Sequence, residues 1–149
     1  MINHRALPAD GHLITLESEV HHAEVAKVNI ARAELSNIVE VRIGSALETL
    51  PKLYDEGINP FDLIFIDGDK QNNSEYLKWA LKLSRKGTVI IGDNIVRKGE
   101  IVNASSKDVN VQGVRHFFDI LASESNLSST AIQTVGSKGY DGFSISVVL

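Results

Sequence analysis

Phe61-Asp62-Leu63-Ile64-Phe65-Ile66-Asp67-Gly68-Asp69-Lys70 is the stretch whose reading decides the fold. Leu63 to Ile66 is a short, unbroken apolar run of strand-favouring residues, the pattern of a strand covered on both faces in a parallel sheet. It stops at two carboxylates with a glycine between them, followed by a lysine. Ligands of open α/β sheets bind just outside the carboxyl ends of the strands. Gly87-Thr88-Val89-Ile90-Ile91-Gly92-Asp93-Asn94 repeats the design and ends in an acid and an amide. Side by side, two such strands bring Asp67, Asp93 and Asn94 to one edge, with Lys70 a turn away. That edge holds three hard oxygen donors beside an amine.

Outward from this centre, strand and helix patterns alternate. His12 to Glu17 reads as a strand ending in an acid, and Ser18 as the cap of a helix starting near Glu19. Val20, Ala23, Ala26 and Ile30 share one face of that helix. Val39 to Ile43 is the next strand, followed by Gly44-Ser45-Ala46 and a helix from about Leu47 to Glu56. Asn59-Pro60 breaks the chain before the central strand. Asn73 or Ser74 opens a helix with Tyr76, Leu77, Ala80, Leu81 and Leu83 on its buried side. Arg85-Lys86-Gly87 reads as a basic helix end with a glycine stop. Arg97 to Asn110 has no period and reads equally as an active-site lid or a plain loop. A helix follows from about Gln112 to Ser123, then two strand-like runs, Thr130 to Val135 and Phe143 to Leu149. Gly136-Ser137-Lys138-Gly139 joins them as an antiparallel hairpin. The alternation argues for right-handed crossovers and a parallel sheet carrying a terminal hairpin.

Composition narrows the chemistry. The 149 residues, 43% hydrophobic and 23% charged, suit one domain spanning 1–149 with a single core. No apolar run reaches the ~20 residues of a membrane helix, and no signal-peptide pattern opens the chain. Cysteine is absent, which excludes disulfides, thiolate metal sites and thiol nucleophiles and fits a cytoplasmic location. A net charge of −4 disfavours a broad nucleic-acid surface.

Phe65-Ile66-Asp67-Gly68-Asp69-Lys70 followed by Ile90-Ile91-Gly92-Asp93-Asn94 resembles the cation-dependent O-methyltransferases, the group that includes catechol and caffeoyl-CoA O-methyltransferases. The similarity is closest to the small bacterial members. Glu17, Gly44-Ser45-Ala46 and Gly139-Tyr140-Asp141-Gly142-Phe143 fall where that family has corresponding elements. The resemblance implies a Rossmann-like class I methyltransferase sheet, mostly parallel, with the carboxyl-terminal antiparallel hairpin. It implies Asp67, Asp93 and Asn94 as ligands of Mg²⁺, or of Mn²⁺ or Ca²⁺, and Lys70 as the catalytic base. Glu17 would hold the ribose of S-adenosylmethionine, Ser45 and Ala46 would line the adenine, and Asp67 and Asp69 would complete the cofactor site. The implied acceptor is a small vicinal-dihydroxy aromatic, and the expected assembly is a homodimer. A hydroxylated tRNA base ranks below a phenol, because the chain is acidic and has no basic stripe.

Singly, each acid at a strand end is better read as a helix cap or an ion-pair partner; the paired strand ends with Lys70 between them reverse those odds. His21-His22 reads as a solvated pair, since adjacent helical positions diverge by ~100°. His4, His12 and His116 have no assigned partner, and Tyr76 and Trp79 read as packing residues.

One feature departs from the family pattern. Folds of this kind carry a glycine-rich turn ~20 residues before the ribose-binding acid. Sixteen residues precede Glu17 here, and Gly11 is the sole glycine among them. The first strand, its turn and most of the first crossover helix are therefore expected to be missing. That strand belongs between the strand ending at Glu17 and the one ending at Asp67. Its absence leaves two strand edges to pair directly or to be covered by a second chain, or equally marks the chain as a fragment of a longer protein. It also keeps open a non-catalytic remnant that serves as an oligomerisation or metal-binding module.

Overall fold

Strands and helices follow one another in the order the sequence predicts, within a computed structural model that describes residues 7–58, 60–137 and 139–149. His4, Asn59 of the Asn59-Pro60 break and Lys138 of the hairpin connection lie outside the described residues. Within the span expected to form one domain, the chain divides into two compact units, Met1–Lys52 and Leu53–Leu149.

In the first unit, β1 (Leu13–Glu17) pairs in parallel with β2 (Val39–Ile43), from Leu13 opposite Val39 to Glu17 opposite Ile43. The crossover that a parallel pair requires is α1 (Val20–Arg32). Its N-cap is Glu19 rather than Ser18, and the Glu19 N–H donates to the Glu17 carboxylate at 2.8 Å. Of the apolar face expected on α1, Ala23 is buried whereas Val20 is exposed. The helix α2 (Ala46–Asp55) starts directly after β2.

The second unit holds β3 (Phe61–Ile66), α3 (Asn73–Lys82), β4 (Ser84–Asp93), α4 (Val109–Ser123), β5 (Leu127–Gly136) and β6 (Gly139–Val148). Its four strands lie in the order β3-β4-β6-β5. β3 and β4 run parallel; β4–β6 and β6–β5 are antiparallel, so the predicted hairpin forms the sheet edge. The class is therefore α/β with parallel ladders and a carboxyl-terminal antiparallel hairpin. Ile66 and Ile90 of the sheet pack with Leu77 and Ala80 of α3 and with Val114, Phe117 and Leu121 of α4. Among the described residues, no helix is long and apolar enough to cross a membrane.

Three expectations are corrected here. Among the described residues the central strand is not covered on both faces: Ile66 is buried, but Leu63 and Phe65 are 50% and 48% exposed. An apolar run says that a strand is hydrophobic on both sides, not that a layer exists to cover each. Arg85-Lys86-Gly87 is not a helix end. The helix stops at Lys82, and these residues bulge from the start of β4, where the register jumps from Phe61–Ser84 to Leu63–Val89. The buried Thr88 hydroxyl closes the bulge, donating to the Phe61 carbonyl at 2.6 Å and accepting from the Arg85 N–H at 3.0 Å. Finally, the segment after Asn94 is not wholly irregular: Arg97–Val102 forms 3-10 turns, and α4 begins at Val109 with Asp108 as a cap accepting from the Asn110 N–H.

Candidate functional site

The parallel register builds the centre of the site. Ile66 pairs with Gly92, so Asp67 and Asp93 follow side by side at the ends of β3 and β4, on backbones ~4.8 Å apart. Asn94 comes next, in the left-handed region with φ 54°, which asparagine tolerates better than most residues. Its N–H donates to Asp93 Oδ1 at 2.7 Å. The Lys70–Asn72 segment is a short 3-10 turn that returns the chain over the strand ends. Lys70 is 6% exposed, and its Nζ donates to Asp67 Oδ1 at 3.2 Å. The turn is pressed against α4 at Gly113: a Cβ there would lie 2.2 Å from the Lys70 carbonyl oxygen. Only glycine lets the helix come this close.

Asp69 is exposed at the mouth of the same turn. It accepts from the Tyr76 hydroxyl and, at 2.5 Å, from Asn72 Nδ2. Partial burial alone would raise its carboxyl, but the bonds from Tyr76, Asn72 and Gln71 outweigh that and hold it below the usual range. Burial, and after it the bond to Asp69 and the charge of that carboxylate, pushes the Tyr76 hydroxyl up to about 12. Tyr76 is thus more than the packing residue expected of it. The only hint in the sequence was its position seven residues after an acid, a relation that means little until the turn brings the two together.

Glu17, Ser45 and Ala46 meet in the first unit. Glu17 ends β1 opposite Ile43, and its carbonyl accepts the Gly44 N–H at 2.9 Å. The Ser45 carbonyl receives the Glu48 and Thr49 N–H groups and the Thr49 hydroxyl, opening α2 at Ala46. The structure thus assembles two sets of expected site residues, one in each unit.

Asp67, Asp93 and the Asn94 amide offer the hard oxygen donors that suit a cation such as Mg²⁺. Asp93 has one oxygen occupied by a local N–H and Asp67 has one on Lys70, which leaves a second carboxylate oxygen on each. Among the described residues no three His, Cys, Asp or Glu side chains cluster as a metal site; the set here is two acids and an amide. A separate groove of about 450 Å³, lined by Gln71, Lys107, Gln112 and His116 among others, contains none of these residues.

Residues 1–139 match the O-methyltransferase family. The chain belongs to that family. It is 47% identical over 144 residues to a catechol O-methyltransferase of Niastella koreensis, covering 97% of this chain and 65% of that protein. It is 46% identical to a catechol O-methyltransferase of Mycobacterium tuberculosis, covering 97% of this chain and 64% of the relative. A solved O-methyltransferase from Bacillus cereus in complex with SAH superposes with a TM-score of 0.95 at 55% identity, covering 97% of this chain and 66% of that one. The chain thus spans about 65% of the length of the curated relatives it matches. The chain shares the α/β, Rossmann-like architecture of these O-methyltransferases.

Proposed function

We propose that this protein transfers the methyl group of S-adenosylmethionine to one hydroxyl of a small vicinal-dihydroxy aromatic, with a divalent cation, Mg²⁺ foremost, in the site. The observation that carries the proposal is Asp67 beside Asp93-Asn94 with Lys70 Nζ 3.2 Å from Asp67, in a chain of the O-methyltransferase family. The names of the two curated relatives support a catechol-type acceptor. SAH, the demethylated form of the donor, in the Bacillus cereus structure supports the cofactor.

In this reading Asp67, Asp93 and Asn94 hold the cation. A cation held there would supply Lewis-acid stabilisation of negative charge on the acceptor oxygens. Lys70, buried and at the same edge, would take the hydroxyl proton at Nζ in its neutral amine form and become the ammonium. Glu17 would accept from the ribose hydroxyls, Ser45 and Ala46 would border the adenine, and Asp67 and Asp69 would meet the methionine end. Asp69 is suited to that task because Tyr76 and Asn72 keep it anionic opposite a cationic amine. The sulfonium already activates the methyl group, so the remaining work of the protein is to hold oxygen and methyl in line.

The test is methylation of a catechol by the chain at high cofactor concentration, with and without chelator. Chelator should abolish methylation and added Mg²⁺ should restore it. Activity indifferent to chelator would refute the cation's role, and methyl incorporation into tRNA but not catechols would refute the acceptor.

A further inference from the structure

We propose that Asp141 is the positioning residue of the cation end of the site; this rests on the reading of Asp93 and Asn94 as cation ligands. β6 grips the chain on both sides of Asn94. Asp93 pairs with Phe143 in the ladder, and the Ile95 N–H donates to the Gly142 carbonyl at 3.1 Å. Beyond that point the backbone ladder ends and Asp141 takes over with its side chain. Its Oδ1 accepts from the N–H groups of Val96 at 2.9 Å, Arg97 at 3.2 Å and Gly142 at 2.9 Å. The Tyr140 hydroxyl extends the grip one residue further, donating to the Lys98 carbonyl at 2.6 Å.

The gripped segment is one that would not hold its shape unaided. Asn94, Arg97 and Lys98 have φ of 54°, 51° and 55°, left-handed values that side-chain-bearing residues keep only when their surroundings impose them. An ionised carboxylate gathering backbone N–H groups is among the stronger such restraints. Gly142 permits the close approach: a Cβ there would lie 2.5 Å from the Ile132 carbonyl oxygen and 2.7 Å from a Val96 methyl. The direction in which Asn94 presents its amide follows from its backbone, which the Gly142 carbonyl holds at Ile95 and the Asp141 carboxylate holds beyond it at Val96 and Arg97. The bonds Asp141 makes are to backbone N–H groups, so it acts through Asn94 rather than on the cation. Removing its carboxylate frees the Val96 and Arg97 N–H groups and loosens the backbone that follows Asn94.

The experiment is a Mn²⁺ titration, read by electron paramagnetic resonance, on the parent chain and on D93A, D141A and D141N. Urea midpoints are measured on the same proteins without metal. The parent should bind one Mn²⁺ and D93A should lose it. D141A should weaken binding by roughly 10–100-fold, the usual effect of removing a group that orients a ligand. D141N, which keeps an acceptor oxygen but loses the charge, should fall between the two. Parental Mn²⁺ affinity in D141N and D141A, with only the midpoint lowered, would overturn the proposal and leave Asp141 a purely structural residue. If D141A does not fold, parental affinity in D141N alone would do the same. Equal binding by parent and D93A would instead refute the cation reading, and the proposal with it.

Discussion

Asp67 and Asp93 stand at equivalent places on neighbouring strands, yet their surroundings differ, and so do the expected effects of changing them. Asp93 has one oxygen on the Asn94 N–H, so its removal disturbs little beyond the donor set. D93A should abolish Mg²⁺ binding in calorimetry while leaving the circular dichroism spectrum unchanged, because an open oxygen site with one ligand fewer holds Mg²⁺ poorly. K70M should keep Mg²⁺ affinity and depress turnover by about 10²–10⁴-fold, the usual share of a general base. Unchanged turnover would exclude Lys70 as the base. Tyr76 gives a pH signature. Its folded value, about 12, lies above the ordinary 10.0. The fold therefore favours the neutral phenol: this contribution is whole below pH 10 and is lost as pH rises through about 12. Absorbance at 295 nm should show one late-titrating phenol, absent in Y76F. For Asp69 the sign is opposite, since its depressed value gives stability that is lost only on acidification below the usual carboxylate range. In Y76F the Asp69 carboxyl carbon should titrate at higher pH by NMR.

Among the elements, α4 sets the height of the Lys70 turn. A Cβ on Gly113 would meet the Lys70 carbonyl oxygen at 2.2 Å and Gln71 Cα at 2.6 Å, both backbone atoms that cannot turn aside. G113A should therefore cost about 1–3 kcal/mol, the scale of overpacking, and lower turnover more than a distant mutation of equal cost. Urea melts and turnover measured together check this; a parental midpoint would mean that the helix slides without penalty. β3 offers a contrast between faces. I66A removes a core side chain packed against α3 and α4 and should cost about 2–5 kcal/mol. F65A acts on the half-exposed face and should cost clearly less in the same urea melts.

For the whole molecule, the quantity that matters is cofactor affinity. The 149 residues span about 65% of the relatives' length, and those given ahead of Glu17 hold no glycine-rich turn. In the proposed reading Glu17, Ser45 and Ala46 would address the ribose and adenine, whereas a glycine-rich turn gives the close backbone approach the rest of the cofactor needs. Losing three hydrogen bonds at ~0.5–1.5 kcal/mol each weakens binding by roughly ten- to a thousand-fold. The 149-residue chain should therefore bind S-adenosylmethionine weakly, and Mg²⁺ binding should survive better, since Asp67, Asp93 and Asn94 all belong to the second unit. Paired calorimetric titrations decide it; micromolar cofactor binding would mean that the pocket is rebuilt in another way.

The order of strands and helices, the terminal hairpin and the placing of Asp67 and Asp93 at neighbouring strand ends were legible from the residues alone. They depend on local periodicity and on short motifs such as Asp67-Gly68-Asp69-Lys70 and Asp93-Asn94. The bulge at Arg85-Lys86-Gly87 was not legible, because glycine after two basic residues serves a helix end and a strand bulge equally well. Nor was the bare face of Leu63 and Phe65, since no strand carries a record of which neighbouring layer is present. Tertiary structure alone decided that Gly113 brings α4 onto the Lys70 turn and that Asp141 grips Val96 from 45 residues away. Such contacts arise from register and packing between segments far apart in the chain, where periodicity carries no information.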